Sequence, residues 1–148
     1  MTPKTLFPAL AALALATAAT AEPRSYTTTD SFEDVTFALE NAIIGRGLVI
    51  DATNHVGDML ERTRADVGSD VVIYTHAQVV SFCSATLSRE MMEANPLNIS
   101  WCPYGIFAFQ TPDNPGEVTV GFHDYPEGEM KQVEDLLDSI VREALGLD

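Results

Sequence analysis

The sequence predicts an α+β fold built in layers. Five segments are rich in β-branched and aromatic residues, which is typical of strands, and three longer segments carry apolar residues at helical spacing. Two of the predicted strands follow one another directly late in the chain, separated only by the turn sequence PDNPG. Neighbouring strands combined with amphipathic helices indicate a sheet with helices packed against it.

The first 21 residues have the features of a secretory signal peptide. Lys4 precedes an apolar, alanine-rich run, and the small residues Ala19 and Ala21 suit cleavage after Ala21. The run is short and rich in Ala and Thr for a membrane span, and no cysteine lies at the cleavage site to carry a lipid. We therefore expect a periplasmic or secreted protein in which residues 22–148 form a single α+β domain.

The amino-terminal half of this domain predicts two strands and two helices. The segment RSYTTTD is the first strand, and a helix follows it from about Ser31, where Ser31 and Asp34 approximate a capping box. Gly45 and Gly47 end that helix. The segment LVIDAT predicts the second strand, and HVGDMLERTRADVG predicts a short, mostly polar helix.

The carboxy-terminal half predicts three strands and two helices. A long strand, VVIYTHAQVVSF, leads to a short helix, REMMEAN, which Ser88 would cap and the pair Asn95–Pro96 would end. The segments GIFAFQT and EVTVGFHD predict a hairpin. The last helix has the clearest apolar stripe, which consists of Met130, Val133, Leu136, Leu137, Ile140, Val141, Ala144 and Leu145.

The charge and the motif content exclude several classes of function. The net charge of −14 opposes binding to nucleic acid or to an anionic membrane surface, because both need a basic face. The chain contains no glycine-rich phosphate loop, no HExxH zinc motif and no GxSxG nucleophile motif. No catalytic residue is predicted, and a binding role is favoured over an enzymatic one.

The two cysteines, Cys83 and Cys102, are the first candidate site residues. An even number of cysteines in an exported domain favours a disulfide between them. Their spacing is not Cys-x-x-Cys, so the usual cause of a depressed thiol pKa in redox enzymes is missing. A redox-active pair and a pair of ligands for a soft metal remain as alternatives.

Histidine and tyrosine side chains supply the other candidates. His55 and Met59 are four residues apart, which places them on one face of a helix, and imidazole and thioether donors suit copper or haem iron. Alternatively, Met59 fills a gap in the core and His55 caps a turn. Tyr104 and His123 are candidate ligand-binding residues, His123 because it lies on the polar side near the end of a strand.

The order of these segments resembles a known bacterial family. The run FCSATLSREMMEANP, followed by CPYGIFAFQTPDNPGEVTVGFHDYP, is similar to the family called domain of unknown function 302. The resemblance implies a fold like that of the TATA-box-binding protein, of β-α-β4-α type, with a curved antiparallel sheet and helices packed on one face. One branch of the family has a histidine at the position of His55. The family supplies no activity.

These observations lead to one functional hypothesis and two alternatives. The hypothesis is an exported binding or accessory module for an unknown small ligand or a periplasmic protein, and a homodimer is left open. Its site is expected at a cleft edge formed by Cys83, the segment Cys102–Tyr104 and the segment that begins at His55. The alternatives are a thiol–disulfide redox protein that uses both cysteines and a copper or haem carrier that uses His55.

Overall fold

The computed structural model describes residues 22–147, which form five strands and four α-helices. The strands are β1 (Arg24–Thr28), β2 (Val49–Asn54), β3 (His76–Cys83), β4 (Tyr104–Thr111) and β5 (Asn114–Phe122). The helices are α1 (Phe32–Gly45), α2 (Val56–Thr63), α3 (Ala85–Ala94) and α4 (Lys131–Ala144), with a 3₁₀ helix at Pro96–Trp101. This order confirms the predicted α+β class. The predicted signal peptide lies outside the described residues.

The five strands form one antiparallel sheet in the order β1-β5-β4-β3-β2. Because side chains alternate between the faces of a sheet, every second residue of the central strands points to the same side. On that side α1 and α4 pack against the sheet and against each other. The buried hydrophobic residues of the strands are Val80, Phe82, Tyr104, Ile106, Ala108, Val118, Val120 and Phe122.

The opposite side of the central strands is called here the open face. It carries the alternate residues, among them Val79, Phe107 and His123, and neither α1 nor α4 covers it. The ring of Phe107 lies directly over Gly121 of the neighbouring strand. Small residues on this face therefore leave room for the larger side chains beside them.

Within residues 22–147, no helix combines the length and the apolar character that crossing a bilayer requires.

Several predicted boundaries are wrong: α2 ends at Thr63 rather than near Gly68, and β5 begins at Asn114, inside the predicted turn PDNPG. The starts of β3 and α3 also differ. The third strand begins at His76, and residues 71–75 have no regular structure, because His76 already pairs with Gln110 near the end of β4 and no partner strand extends further. Helix α3 begins at Ala85 rather than after Ser88. Its N-cap is Ser84, whose hydroxyl accepts a hydrogen bond from the amide of Leu87.

The close contact at Gly121 gives a stability prediction. A Cβ atom at Gly121 would lie 2.5 Å from Cζ of Phe107 and would also meet the carbonyl oxygen of Arg24. We expect Gly121→Ala to lower the free energy of unfolding by about 1–3 kcal/mol, because the backbone cannot yield cheaply. Urea unfolding monitored by circular dichroism measures this change.

Gly116→Ala is the matched control, since Gly116 lies in the same strand and a Cβ atom there meets nothing within 4 Å. We expect the control to change the stability by no more than about 0.5 kcal/mol. Equal urea midpoints for the two variants would contradict the packing described at Gly121.

Candidate functional site

The register of β3 and β4 brings the two cysteines together. Phe82 and Tyr104 are paired across the two strands, so Cys83 and Cys102 lie just beyond the same end of the pair. Helix α3 and the 3₁₀ helix form the chain segment that connects the two cysteines. The two sulfur atoms lie 3.0 Å apart as free, partly buried thiols. Cys102 also precedes a cis peptide bond to Pro103.

A buried pair of hydroxyl groups supports Cys102 from inside the protein. The hydroxyl of Ser88, on α3, lies 3.5 Å from the sulfur of Cys102 and donates a hydrogen bond of 3.1 Å to the hydroxyl of Tyr104. Tyr104 is buried, and burial raises the pKa of its phenol. The predicted ligand-binding residue Tyr104 therefore lies beneath the cysteine pair as a neutral phenol.

The thiol of Cys83 is held in its protonated form. Burial raises its pKa to about 12, and the adjacent sulfur of Cys102 and the carboxylate of Asp51 act in the same direction. A thiol with so high a pKa is almost entirely protonated at neutral pH, and the thiolate is the reactive form. Cys83 is therefore a slow nucleophile.

A cleft of about 330 Å³ lies beside the cysteines on the open face of the sheet. Cys102 stands between two of its lining residues, Trp101 and Pro103, and Cys83 is two residues from a third, Ser81. None of the lining residues is a lysine, arginine, aspartate or glutamate. The complete lining is Val79, Ser81, Ser100, Trp101, Pro103, Gly105, His123 and Tyr125.

Two aromatic rings form one wall of this cleft. The ring centroids of Trp101 and Tyr125 are 5.1 Å apart, with the ring planes tilted by 44°. Tyr125 is buried and also packs edge-on against Tyr104, whereas Trp101 is partly exposed. Aromatic pairs of this geometry are attractive beyond the area they bury. Tyr125 therefore backs Trp101, which presents the accessible surface.

The buried carboxylate of Glu134, on α4, holds the segment that carries His123 and Tyr125. Its Oε2 atom accepts hydrogen bonds from the backbone amide of Tyr125 at 2.9 Å and from Nζ of Lys131 at 2.8 Å. Its Oε1 atom lies 3.3 Å from Arg24. A buried carboxylate needs such partners, because an unpaired one would be strongly destabilising.

The same lysine continues the network towards the surface. Nζ of Lys131 lies 2.8 Å from Asp124, and this hydrogen bond holds the pKa of the Asp124 carboxyl below its usual range. Helix α4 therefore holds the segment just after β5 through both Glu134 and Lys131.

The predicted cleft edge that joins His55 to the cysteines is not formed. Val49, at the start of β2, pairs with Cys83, whereas Asn54, at its end, pairs with Val79. The pairs are four residues apart along β3, and His55 follows Asn54 by one more residue. At about 3.3 Å per residue, these five steps put His55 roughly 17 Å from Cys83 along the strand. His55 is the exposed N-cap residue of α2, and Met59 is 42% exposed and so fills no core gap.

Metal-ligating groups are not clustered in the described part of the chain. Among residues 22–147, no group of three or more His, Cys, Asp and Glu side chains is placed to hold a metal ion. His76, the first residue of β3, is exposed to solvent. Its ring stacks on Phe32 with the ring centroids 5.1 Å apart.

The comparison with known proteins agrees with this architecture. The family model of DUF302, a domain of unknown function, matches residues 24–145. The chain belongs to the DUF302 family.

A solved DUF302 protein has the same fold. The crystal structure of an uncharacterized conserved DUF302 protein from Bacillus stearothermophilus is similar to this chain with a TM-score of 0.55 and 15% identity. The similarity covers 83% of this chain and 88% of that chain. At this level of identity the likeness establishes the fold alone. The chain matches no curated protein.

The sequence of this DUF302 protein did not reveal four residues of the site. No functional role was predicted for Trp101, Tyr125 or Glu134, and Ser88 was predicted only as a helix cap. A signal existed only for Trp101, the sole tryptophan of the chain, which stands next to a candidate cysteine.

The position of Glu134 gives a second stability prediction. Glu134→Gln keeps the shape of the side chain, but its amide nitrogen would face either the two donors that share Oε2, on Lys131 and Tyr125, or the guanidinium of Arg24 at Oε1. We expect a loss of about 1–3 kcal/mol in the free energy of unfolding, which is typical of hydrogen bonds to a charged group. Chemical unfolding at neutral pH measures it.

Asp135→Asn is the matched control, because Asp135 is the exposed neighbour and the substitution removes the same charge. It should change the stability by less than about 0.5 kcal/mol. An equal loss in both variants would show that net charge, and not the contacts of Glu134, is responsible.

Proposed function

We propose that this DUF302 protein is a binding module for a small organic molecule that occupies the cleft beside Cys83 and Cys102. The observation that carries the proposal is the cleft itself, which combines a partly exposed tryptophan with a few polar groups. Its volume of about 330 Å³ is at the lower end of the usual range for small-molecule sites, about 300–1,000 Å³.

The chemistry of the lining favours a neutral or cationic ligand with a planar apolar part. A planar group can lie against the ring of Trp101, and a cation gains further from the electron-rich face of that ring. The imidazole of His123 and the hydroxyl of Ser100 offer hydrogen bonds at the exposed rim. An anion would meet no basic lining residue and a protein with a net charge of −14.

Ser81 supplies an acceptor on the floor of the cleft. Its hydroxyl donates a hydrogen bond of 3.3 Å to the carbonyl oxygen of Ala52, so its oxygen lone pairs remain available. A ligand with an N–H or O–H group directed at β3 would use this oxygen. Amides and amidines carry such groups on a planar body.

A charge series on one ring tests the proposal. Benzamidine is cationic, benzamide is neutral and benzoate is anionic, and all three are planar and similar in size. The single tryptophan, Trp101, lies in the cleft wall, so its fluorescence reports binding. We expect benzamidine and benzamide to change the fluorescence saturably and benzoate to have little effect.

Two histidine variants locate the binding. His123→Ala should weaken binding of benzamidine and benzamide by about two- to tenfold, the cost of one hydrogen bond. His55→Ala is the matched control at the opposite end of β2 and should leave the affinity unchanged. Binding that is lost with His55→Ala, or no response to any probe, would refute the proposed site.

A thiol–disulfide role is the second candidate, and the 3.0 Å separation of the sulfur atoms favours it. Two cysteine ligands of a tetrahedral metal with bonds of about 2.3 Å would have sulfur atoms roughly 3.8 Å apart. A disulfide requires about 2.05 Å, a small movement from the observed position. In an oxidising extracytoplasmic compartment the bond would close a short loop and stabilise the fold by about 3 kcal/mol.

The pair is not expected to act as a general reductase. The pKa of the Cys83 thiol is raised to about 12, so the resolving step, in which Cys83 must lose its proton to release the substrate thiol, is slow at neutral pH. Reduction of insulin by dithiothreitol should therefore proceed near the uncatalysed rate in the presence of the protein. Clear acceleration that Cys83→Ser abolishes would contradict this expectation.

A further inference from the structure

We propose that the cleft is controlled by the redox state of Cys83 and Cys102, so that the disulfide form binds the ligand more tightly than the dithiol form. The inference rests on the proposed function, because it concerns the regulation of the same cleft. It treats the two cysteines as a modification site for thiol–disulfide exchange with a disulfide-bearing partner.

The first support is the position of the sulfur atoms relative to the cleft walls. Trp101 and Pro103, on either side of Cys102, line one wall. Ser81 lies two residues before Cys83 and lines the floor formed by β3. A bond between the two sulfur atoms would therefore connect the aromatic wall directly to the strand beneath it.

The second support is the weak packing of the segment that carries this wall. No residue of the 3₁₀ helix Pro96–Trp101 is buried, and Leu97 and Ile99 are 77% and 63% exposed. A hydrogen bond of 2.8 Å from the Asn98 side chain to the carbonyl of Met91 ties the segment to α3. Segments with few buried apolar contacts open at low free-energy cost.

A covalent link at Cys102 would restrict this motion, because Cys102 is the C-cap residue of the 3₁₀ helix. The ligand would then meet a tryptophan that is already in position. Fixing a binding residue before the ligand arrives raises affinity by removing part of the ordering cost. The dithiol form retains that cost, and its affinity is correspondingly lower.

The exchange reaction balances with a disulfide of the general form R–S–S–R as oxidant. The thiolate of Cys102 attacks one sulfur of the partner, forms a mixed disulfide and releases one R–S⁻. Cys83 then loses its proton and attacks the sulfur of Cys102, which forms the intramolecular bond and releases the second R–S⁻. The protein loses two electrons and two protons, and the partner disulfide becomes two thiols.

The two sulfur atoms have unequal parts in this sequence. Cys102 stands between the cleft-lining residues Trp101 and Pro103, so it makes the first attack. Burial raises the pKa of Cys83 and slows attack by that thiol, so Cys83 resolves the mixed disulfide. The hydroxyl of Ser88 lies 3.5 Å from the sulfur of Cys102 and can donate to a thiolate there if the phenol of Tyr104 donates its own proton to Ser88 instead. The reverse reaction with a dithiol restores the reduced form.

The test compares the affinity of the full chain for benzamidine in the two redox states. The disulfide form is prepared with oxidised glutathione and the dithiol form with dithiothreitol. Iodoacetamide labelling of a denatured sample of each, followed by mass spectrometry, verifies no label and two labels. We expect the dithiol form to bind about two- to tenfold more weakly, as one or two side chains must be ordered on binding.

The double variant Cys83→Ser/Cys102→Ser is the control for the reagents. It should bind benzamidine with the lower affinity of the dithiol form under both conditions. The comparison of the two wild-type states needs no variant, so a variant that fails to fold does not remove the test.

The outcomes separate this inference from the proposed function. Equal affinities in both verified states would overturn redox control and leave the cleft as a binding site. Failure of oxidised glutathione to remove both labelling sites would also overturn it. Absence of binding in both states, while labelling confirms the disulfide, would instead refute the proposed function and this inference with it.

Discussion

The alternation of side chains across β3, β4 and β5 is the constraint on which the rest of the molecule depends. It sends Val80, Ile106 and Val120 to the side covered by α1 and α4, where their burial supplies much of the stability. The intervening residues form the open face and do not pack against α1 or α4. The candidate site is built from this second set, together with the segments that enter and leave the sheet.

The pairing register decides which chemical groups meet on the open face. The pairing of Phe82 with Tyr104 fixes both ends of the chain segment that connects β3 to β4. The two cysteines near these ends are in contact as a result. The same register, continued through β2, carries His55 to the far end of the sheet. A slip of two residues would keep the core facing inward and would still separate Cys83 from Cys102.

Local patterns were sufficient for most of the fold. The capping residue Ser31, whose hydroxyl accepts from the amide of Asp34, and the apolar stripe of α4 depend on residues close in sequence. The start of β3 did not follow from its apolar composition, because Val71, Val72 and Ile73 lie where no neighbouring strand continues. A strand requires a partner, and partners are set by tertiary structure.

The site was less accessible to sequence reasoning for the same reason. The cysteines were recognised because their chemistry is rare, but their 3.0 Å separation depends on a register that joins residues 82 and 104. Glu134 belongs to no recognisable motif, because only the fold brings its partners Arg24 and Tyr125 to it. His55 carried a recognisable pattern with Met59, yet the sheet holds His55 far from Cys83 and Cys102.

The central claim is that the cysteine-bearing end of the open face is the ligand site. Mapping of backbone amide chemical shifts during a benzamidine titration of isotopically labelled protein tests it most directly. If benzamidine binds at this end, the largest chemical-shift changes fall in residues 79–83, 100–105 and 123–125. Largest changes in residues 55–63 and 74–77, at the opposite end around His55 and α2, would contradict it.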